Sequence, residues 1–239
     1  MSPNVKLTVD LLGKSVDPSL YRSMKDSLFY LIVSRPNISY SVRVCATYQA
    51  NPKESHIIAV KRIIKYVKTT SNFGVWYEKD TNDVLVGYSS ADWAGNADDR
   101  KGTSGGCFYL GNNLVSWMSK KQNSISLSTA KVEYIAADSC CTQLIWMQKL
   151  LLDYGLCQKH LIIYCDNTST INISKSPVQH SRTKHIAIQH HFICELVGDS
   201  TLTLEFIHID DQKVDLFTKL LNGRHFEFLH QNIGVISMD

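Results

Sequence analysis

Residues 84–95, Val-Leu-Val-Gly-Tyr-Ser-Ser-Ala-Asp-Trp-Ala-Gly, constrain this chain most. The run starts apolar and ends in small polar residues around one carboxylate. Side chains alternate across a strand, so Tyr88, Ser90 and Asp92 share one face. Three later carboxylates stand where they can meet that face. Glu133 lies in a long helical segment, Asp166 ends the apolar run Leu161-Ile-Ile-Tyr-Cys165, and Asp215 lies early in another helical segment. Acids delivered by separate elements to one place form a metal-binding arrangement suited to phosphodiester chemistry.

The pattern on either side of this strand changes period. Residues 1–20, broken by Pro3, Gly13 and Pro18, read as an extended lead-in. Helices are expected over 21–33, 38–49 and 52–68, with Lys25 and Asp26 interrupting the first. Arg35-Pro36 ends the first, because the residue before proline leaves the helical region. Val60, Ile63, Ile64 and Val67 make the buried stripe of the third. Lys61, Arg62, Lys65 and Lys68 lie largely off it, either as a solvated face or as cations along a nucleic-acid backbone. Strands follow at 73–78, 84–90, 105–110 and 114–119, the last pair joined by a turn at 111–113. A helix spans 128–154, and Gly155 is its natural stop. A strand ending at Asp166 comes next, then helices over 168–175 and 183–196, a strand over 201–208, and helices over 211–221 and 223–232. Hairpins first and strand–helix alternation later predict a mixed α/β sheet covered by helices.

Composition narrows the class further. Of 239 residues, 44% are hydrophobic and 20% charged, which is ordinary for a globular chain. No apolar run reaches eighteen residues and no signal-peptide pattern opens the chain, so an intracellular, non-membrane protein is expected. The net charge of +3 is too mild to argue for nucleic acid by itself. Seven cysteines, with no Cys-x-x-Cys pair, suggest free packed thiols, not a disulfide framework or zinc ribbon. His190, His191 and Cys194 have no second cluster at ligand spacing.

A series of short motifs carries a resemblance. They include Tyr21-Arg-Ser-Met, Ser34-Arg-Pro, Asn51-Pro-Lys-Glu-Ser-His, Ala91-Asp-Trp-Ala-Gly95, Asp99-Arg-Lys-Gly-Thr-Ser-Gly105 and Ser119-Lys-Lys-Gln122. Further on come Tyr164-Cys-Asp-Asn167, His180-Ser-Arg-Thr-Lys-His-Ile186 and Phe217-Thr-Lys219. Together, and in this order, they resemble the C-terminal part of the Pol polyprotein of copia-type LTR retrotransposons. The resemblance implies a ribonuclease H-like mixed sheet flanked by helices, preceded by a small helical extension. It divides the chain into a reverse-transcriptase tail over 1–70, a ribonuclease H-like domain over 71–222, and a C-terminal helix and tail over 223–239. A Tyr-Val-Asp-Asp-like polymerase strand is absent from this sequence, so polymerase activity is not expected.

The resemblance also assigns chemistry. Such domains cut the RNA strand of an RNA–DNA hybrid with two magnesium ions about 3.5–4 Å apart, manganese being the alternative ion. The candidate catalytic and metal-binding residues are Asp92, Glu133, Asp166 and Asp215. The family pattern reads Ser-Asp-Ala-Asp-Trp where this chain reads Ser89-Ser-Ala-Asp-Trp93, so Ser90 occupies the first acidic position. Asp92 shares its face but stands two residues on, roughly 6.6 Å along a strand. Other departures are Lys25-Asp26 for Ile-Gly, Lys131 for Glu, Ala187 for Asp and Leu220 for Pro. The implied function is an impaired hybrid ribonuclease. The alternatives are a non-catalytic nucleic-acid-binding module and a decayed transposon remnant. The expected partners are RNA–DNA hybrid and the rest of the Pol polyprotein, with no membrane and no small-molecule substrate. Lys61, Lys65, Lys68, Lys120, Lys121, Arg182 and Lys184 are the candidate backbone contacts. The implied location is a cytoplasmic virus-like particle or the nucleus.

Overall fold

The computed structural model describes residues 6–175 and 191–238. Its centre is a five-stranded sheet. The strands are β2 (Leu85–Asp92), β3 (Thr103–Leu110), β4 (Asn113–Lys121), β5 (Leu161–Cys165) and β6 (Leu202–Phe206), in spatial order β4-β3-β2-β5-β6. The β2–β3 and β3–β4 pairs are antiparallel, whereas β5 joins β2, and β6 joins β5, in parallel. Short turns can join the antiparallel strands, but parallel strands need crossovers. The crossover from β4 to β5 carries α4 (Thr129–Asp153). The crossover from β5 to β6 carries α5 (Thr168–Lys175) and α6 (His191–Gly198). This mixed sheet, with β2 at its centre and helices against it, agrees with the expected mixed α/β sheet covered by helices.

Both faces of β2 are covered. Leu85 shares one core with Leu144 and Cys140 of α4, Ile163 of β5 and Leu204 of β6. Val86 and Tyr88 point the other way, toward Val214, Phe217 and Leu229. Gly105 and Gly106 on β3 explain how close the helices come. A Cβ on Gly105 would lie 2.5 Å from Thr218 Cγ2, and one on Gly106 would lie 2.5 Å from Cys140 Sγ. Adjacent glycines therefore admit a helix on each face of the sheet.

The N-terminal helices are α1 (Pro18–Leu31), α2 (Ser39–Ala46) and α3 (Glu54–Thr69), packed around Tyr21, Val42, Cys45 and Val60. Asp17 caps α1 by accepting from the Ser19 N–H. The lead-in ends there, and α1 runs straight through Lys25 and Asp26, contrary to expectation. Lys25 is buried, but its ammonium meets Asp26 at 2.6 Å and the Gln49 side-chain oxygen at 2.8 Å. Those partners remove the conflict between a charge and an apolar face. In α3, Ile64 is exposed, and His56 and Ala59 complete the buried stripe. Trp117 of β4 donates its indole N–H to the Ile32 carbonyl, tying the helices to the sheet.

Two further expectations change. The segment expected over 73–78 is a three-residue strand, β1 (Phe73–Val75), outside the main sheet. It pairs antiparallel with β7 (Val235–Ser237), which sequence periodicity does not reveal. The helix expected over 211–221 is a 3-10 turn, Ile209–Asp211, followed by the single turn α7 (Asp215–Thr218). Gln212 separates them because its fully buried side chain donates to the Ser89 carbonyl. Of the helix expected over 183–196, the start lies outside the described residues. The last helix, α8 (Gly223–Asn232), agrees with expectation. No described helix is long and apolar enough to cross a membrane.

Ser128 caps α4 by accepting from the Lys131 N–H at 3.3 Å, and no acid lies in the first turn. Lys131 puts a cation against the positive end of the helix dipole. Replacing Lys131 with glutamate should complete a capping box and add about 0.5–1.5 kcal/mol of stability. A denaturant midpoint that rises at unchanged slope checks this; a midpoint that stays or falls refutes it.

Candidate metal centre

The polar end of β2 lies where three other elements end. Register pairs Ser89 with Cys165, so Ser90 and Asp166 are the next residues on two adjacent parallel strands. Ser90 is buried, and its hydroxyl lies 3.4 Å from Asp215 Oδ1 at the start of α7, a long and weak hydrogen bond. Glu133 enters from the first turns of α4, on the opposite face of the sheet, and is 8% exposed. Glu133, Asp166 and the Cys165 thiol each offer an atom within 4.8 Å of the others'. Glu133, Asp166 and Asp215 therefore surround the end of the central strand.

Burial dominates the electrostatics. It pushes Glu133 up to about 8, aided by the charge of Asp166 and opposed by the Ala91 N–H and by Lys219. Asp166 is raised by burial and then by Asp215. Asp215 is raised by burial even though Lys219 Nζ stands 2.8 Å from its Oδ2. The Lys219 charge favours the ionised form of all four candidate acids. Among the described residues, the buried Glu133 Oε2 and Asp166 Oδ1 accept no hydrogen bond. Orphaned carboxylate oxygens in a buried site are what a hard divalent cation would satisfy. Burial raises the Cys165 thiol to about 12.

Asp92 lies two residues beyond Ser90 on β2, where the charges of Lys219 and Asp215 still reach it. Its carboxylate packs against Gly95, where no Cβ would fit. Burial raises it, and Lys6 and Lys219 oppose the rise. Lys6 also donates to the Gly95 carbonyl at 2.9 Å, and the Asp92 charge reaches Tyr40 of α2. The N-terminal segment and α2 thus border the rim at which Asp92 sits.

Among the candidate backbone cations, Lys61, Lys65, Lys68 and Lys120 are exposed. Lys121 is committed to Asp99 at 2.9 Å. Arg182 and Lys184, like Ala187, lie outside the described residues. Sequence reasoning left out Lys219, although its spacing four residues after Asp215 was a signal. Arg62 lines a cleft of about 300 Å³ between α3 and the α7–α8 region, together with Tyr40, Tyr66 and Lys219.

No family model matches the chain. It is 38% identical over 236 residues, 98% of its length, to a retrovirus-related Pol polyprotein from transposon RE1 of Arabidopsis thaliana. It is 36% identical over 218 residues, 91% of its length, to that from transposon TNT 1-94 of Nicotiana tabacum. In both cases it spans 16% of the relative's own length. Among solved structures it is similar to LC11-RNase H1 in complex with an RNA/DNA hybrid. That similarity has 11% identity and a TM-score of 0.42, covering 56% of this chain and 93% of that one.

Proposed function

Because the chain belongs to the retrovirus-related Pol polyproteins of copia-type transposons, we propose that residues 71–222 form their hybrid-processing ribonuclease H-like domain, with 1–70 as a reverse-transcriptase tail and 223–239 as a closing segment. In this reading the rest of the polyprotein is its natural partner. The domain grips RNA–DNA hybrid and cleaves the RNA strand poorly. One observation carries the reading: Glu133 and Asp166 come together at the end of β2, where Asp215 lies against the neutral Ser90.

A bound magnesium or manganese ion would supply Lewis acidity at the scissile phosphate and at the attacking water. Glu133 and Asp166 would hold it with their unpartnered oxygens. Ser90 offers a neutral hydroxyl where a charged ligand is needed, and Lys219 shields Asp215. Binding and cleavage therefore separate. Lys61, Lys65, Lys68 and Lys120 keep their charge in solvent, whereas the acidic centre is short of one carboxylate.

The test is binding and magnesium-dependent cleavage of a hybrid labelled on its RNA strand. For about five phosphate contacts, affinity should fall about 10²–10³-fold between 50 and 200 mM salt, with little dependence on sequence. Cleavage should be slow, confined to the RNA strand and abolished by chelation. Binding that ignores salt, or rapid cleavage by the native chain, would overturn the proposal. The Lys219–Asp215 pair favours a second reading, a hybrid-binding module without cleavage. Salt-sensitive binding with no cleavage at any magnesium concentration would select it.

A further inference from the structure

We infer that the cleft between α2–α3 and α7–α8 binds one nucleotide, with its phosphate on Arg62 and the N-terminus of α8 and an amino-bearing base against Asn37. The site borders the acidic centre through Lys219 and goes beyond the cleavage proposed there.

The walls of the cleft suit a base. Its volume of about 300 Å³ is at the small end for ligand pockets, which admits a single nucleotide and no duplex. Ile63, Leu216 and Leu220 make the lining apolar, and Tyr40, Tyr66 and Phe226 add rings. Tyr66 and Phe226 meet edge to face, with centroids 6.1 Å apart, and form an aromatic corner. Bases of every kind stack on such rings. One polar side chain in this lining is incomplete. Asn37, in the 3-10 turn Pro36–Ile38, is 5% exposed. Its amide nitrogen donates to Tyr66 Oη at 2.7 Å, but its Oδ1 is buried with no partner among the described residues. An unpartnered buried acceptor is costly, and the amino group of a base would satisfy it.

The other end suits a phosphate. Arg62 is exposed at the cleft and forms no ion pair among the described residues. A guanidinium grips phosphate through two parallel hydrogen bonds. Gly223, the first residue of α8, lines the same cleft. The opening N–H groups of a helix have no partner within it and favour an anion. The Asn222 side chain takes that of His225 and leaves that of Gly223. A Cβ on Gly223 would meet nothing within 4 Å, so there is room for a phosphate beside it. Lys219 also lines the cleft, but its ammonium is held by Asp215 at 2.8 Å, which leaves Arg62 as the cation for the ligand.

The experiment is calorimetric titration of the whole chain with AMP, in EDTA and without hybrid. AMP should bind. Inosine monophosphate should bind about three- to ten-fold more weakly, because a carbonyl replaces the amino group that Asn37 accepts from. Arg62→Ala should weaken AMP at least about ten-fold and change adenosine little, since adenosine has no phosphate to lose. Gly223→Pro should weaken AMP too. Proline suits the first helical position and Asn222 is already extended, so the fold stands and one N–H is lost. Near-ultraviolet circular dichroism establishes that each variant is folded. A short single strand with a 5′-phosphate separates the two sources of this chemistry. Tighter binding of the strand assigns the site to a strand end, and tighter binding of AMP assigns it to a free nucleotide. The inference is overturned if AMP does not bind, or if inosine monophosphate or inorganic phosphate binds as tightly as AMP. It is also overturned if the folded Arg62→Ala and Gly223→Pro chains both keep native affinity. A chain that binds AMP but no hybrid sinks the proposed function alone, and a chain that binds hybrid but no AMP sinks this inference alone.

Discussion

Replacing Ser90 with aspartate is expected to raise magnesium-dependent cleavage of hybrid by about 10²–10³-fold, the scale of a single preorganised electrostatic group. Ser90 stands level with Asp166 on the adjacent strand and faces Asp215. A carboxylate there lies beside Asp166 and Asp215. The substitution also carries a cost. Ser90 is buried, so the new charge meets Asp166 and Asp215 with little screening, and Lys219 opposes that repulsion. The variant should therefore be less stable than the native chain without divalent ions and recover stability when they are added, because a ligand that binds only the folded state stabilises it. Combining Ser90→Asp with Asp166→Asn should abolish the gain. A native chain that is fully active and is inactivated by Asp92→Asn would make Asp92 the fourth ligand. A folded Ser90→Asp chain that stays inactive would refute the role given to Ser90.

What the sequence made legible follows from how local each signal is. The alternation along 84–92 placed Tyr88, Ser90 and Asp92 on one face without reference to any distant residue. The apolar run before Asp166 and the long helical period around Glu133 were similarly self-contained, so these acids could be placed on their elements. The break at Gln212 could not be read this way. It depends on a carbonyl at Ser89, far away in sequence, which draws the glutamine inward and ends the helical run. Strands β1 and β7 have three residues each, too few for a period, and each exists because the other is present. Lys25 appeared to break its helix because Gln49, whose side-chain oxygen accepts from its ammonium, lies in the turn after α2, far along the sequence. Lys219 was visible as a residue four positions after Asp215. Its influence on all four acids required the sheet that brings them together.

Replacing Glu133 with glutamine should stabilise the metal-free chain near pH 8 by about 2–4 kcal/mol, at roughly 1.4 kcal/mol for each unit separating the folded and unfolded values. The folded value is about 8, against 4.5 for an unperturbed glutamate, with burial the principal cause. The sign follows from the protons. Between those two values the unfolded chain has released its proton while the folded chain still holds one. Raising the pH through this window therefore favours unfolding. Below about pH 4.5 both states are protonated, so the glutamine variant and the native chain should converge. Glutamine keeps an oxygen for the Ala91 N–H and removes the charge, so the variant lacks this pH dependence. Denaturant midpoints from pH 4 to pH 9 check the prediction. A gap that is absent at pH 8, or that widens toward acid, would refute it. Divalent ions supply the second arm of the test. A cation on Glu133 Oε2 and Asp166 Oδ1 favours the ionised carboxylates, so saturating manganese should shrink or reverse the native chain's deficit at pH 8. The glutamine variant should gain little. Equal stabilisation of both chains by manganese would mean that the ion binds elsewhere, and that Glu133 is a buried acid with no cation to hold.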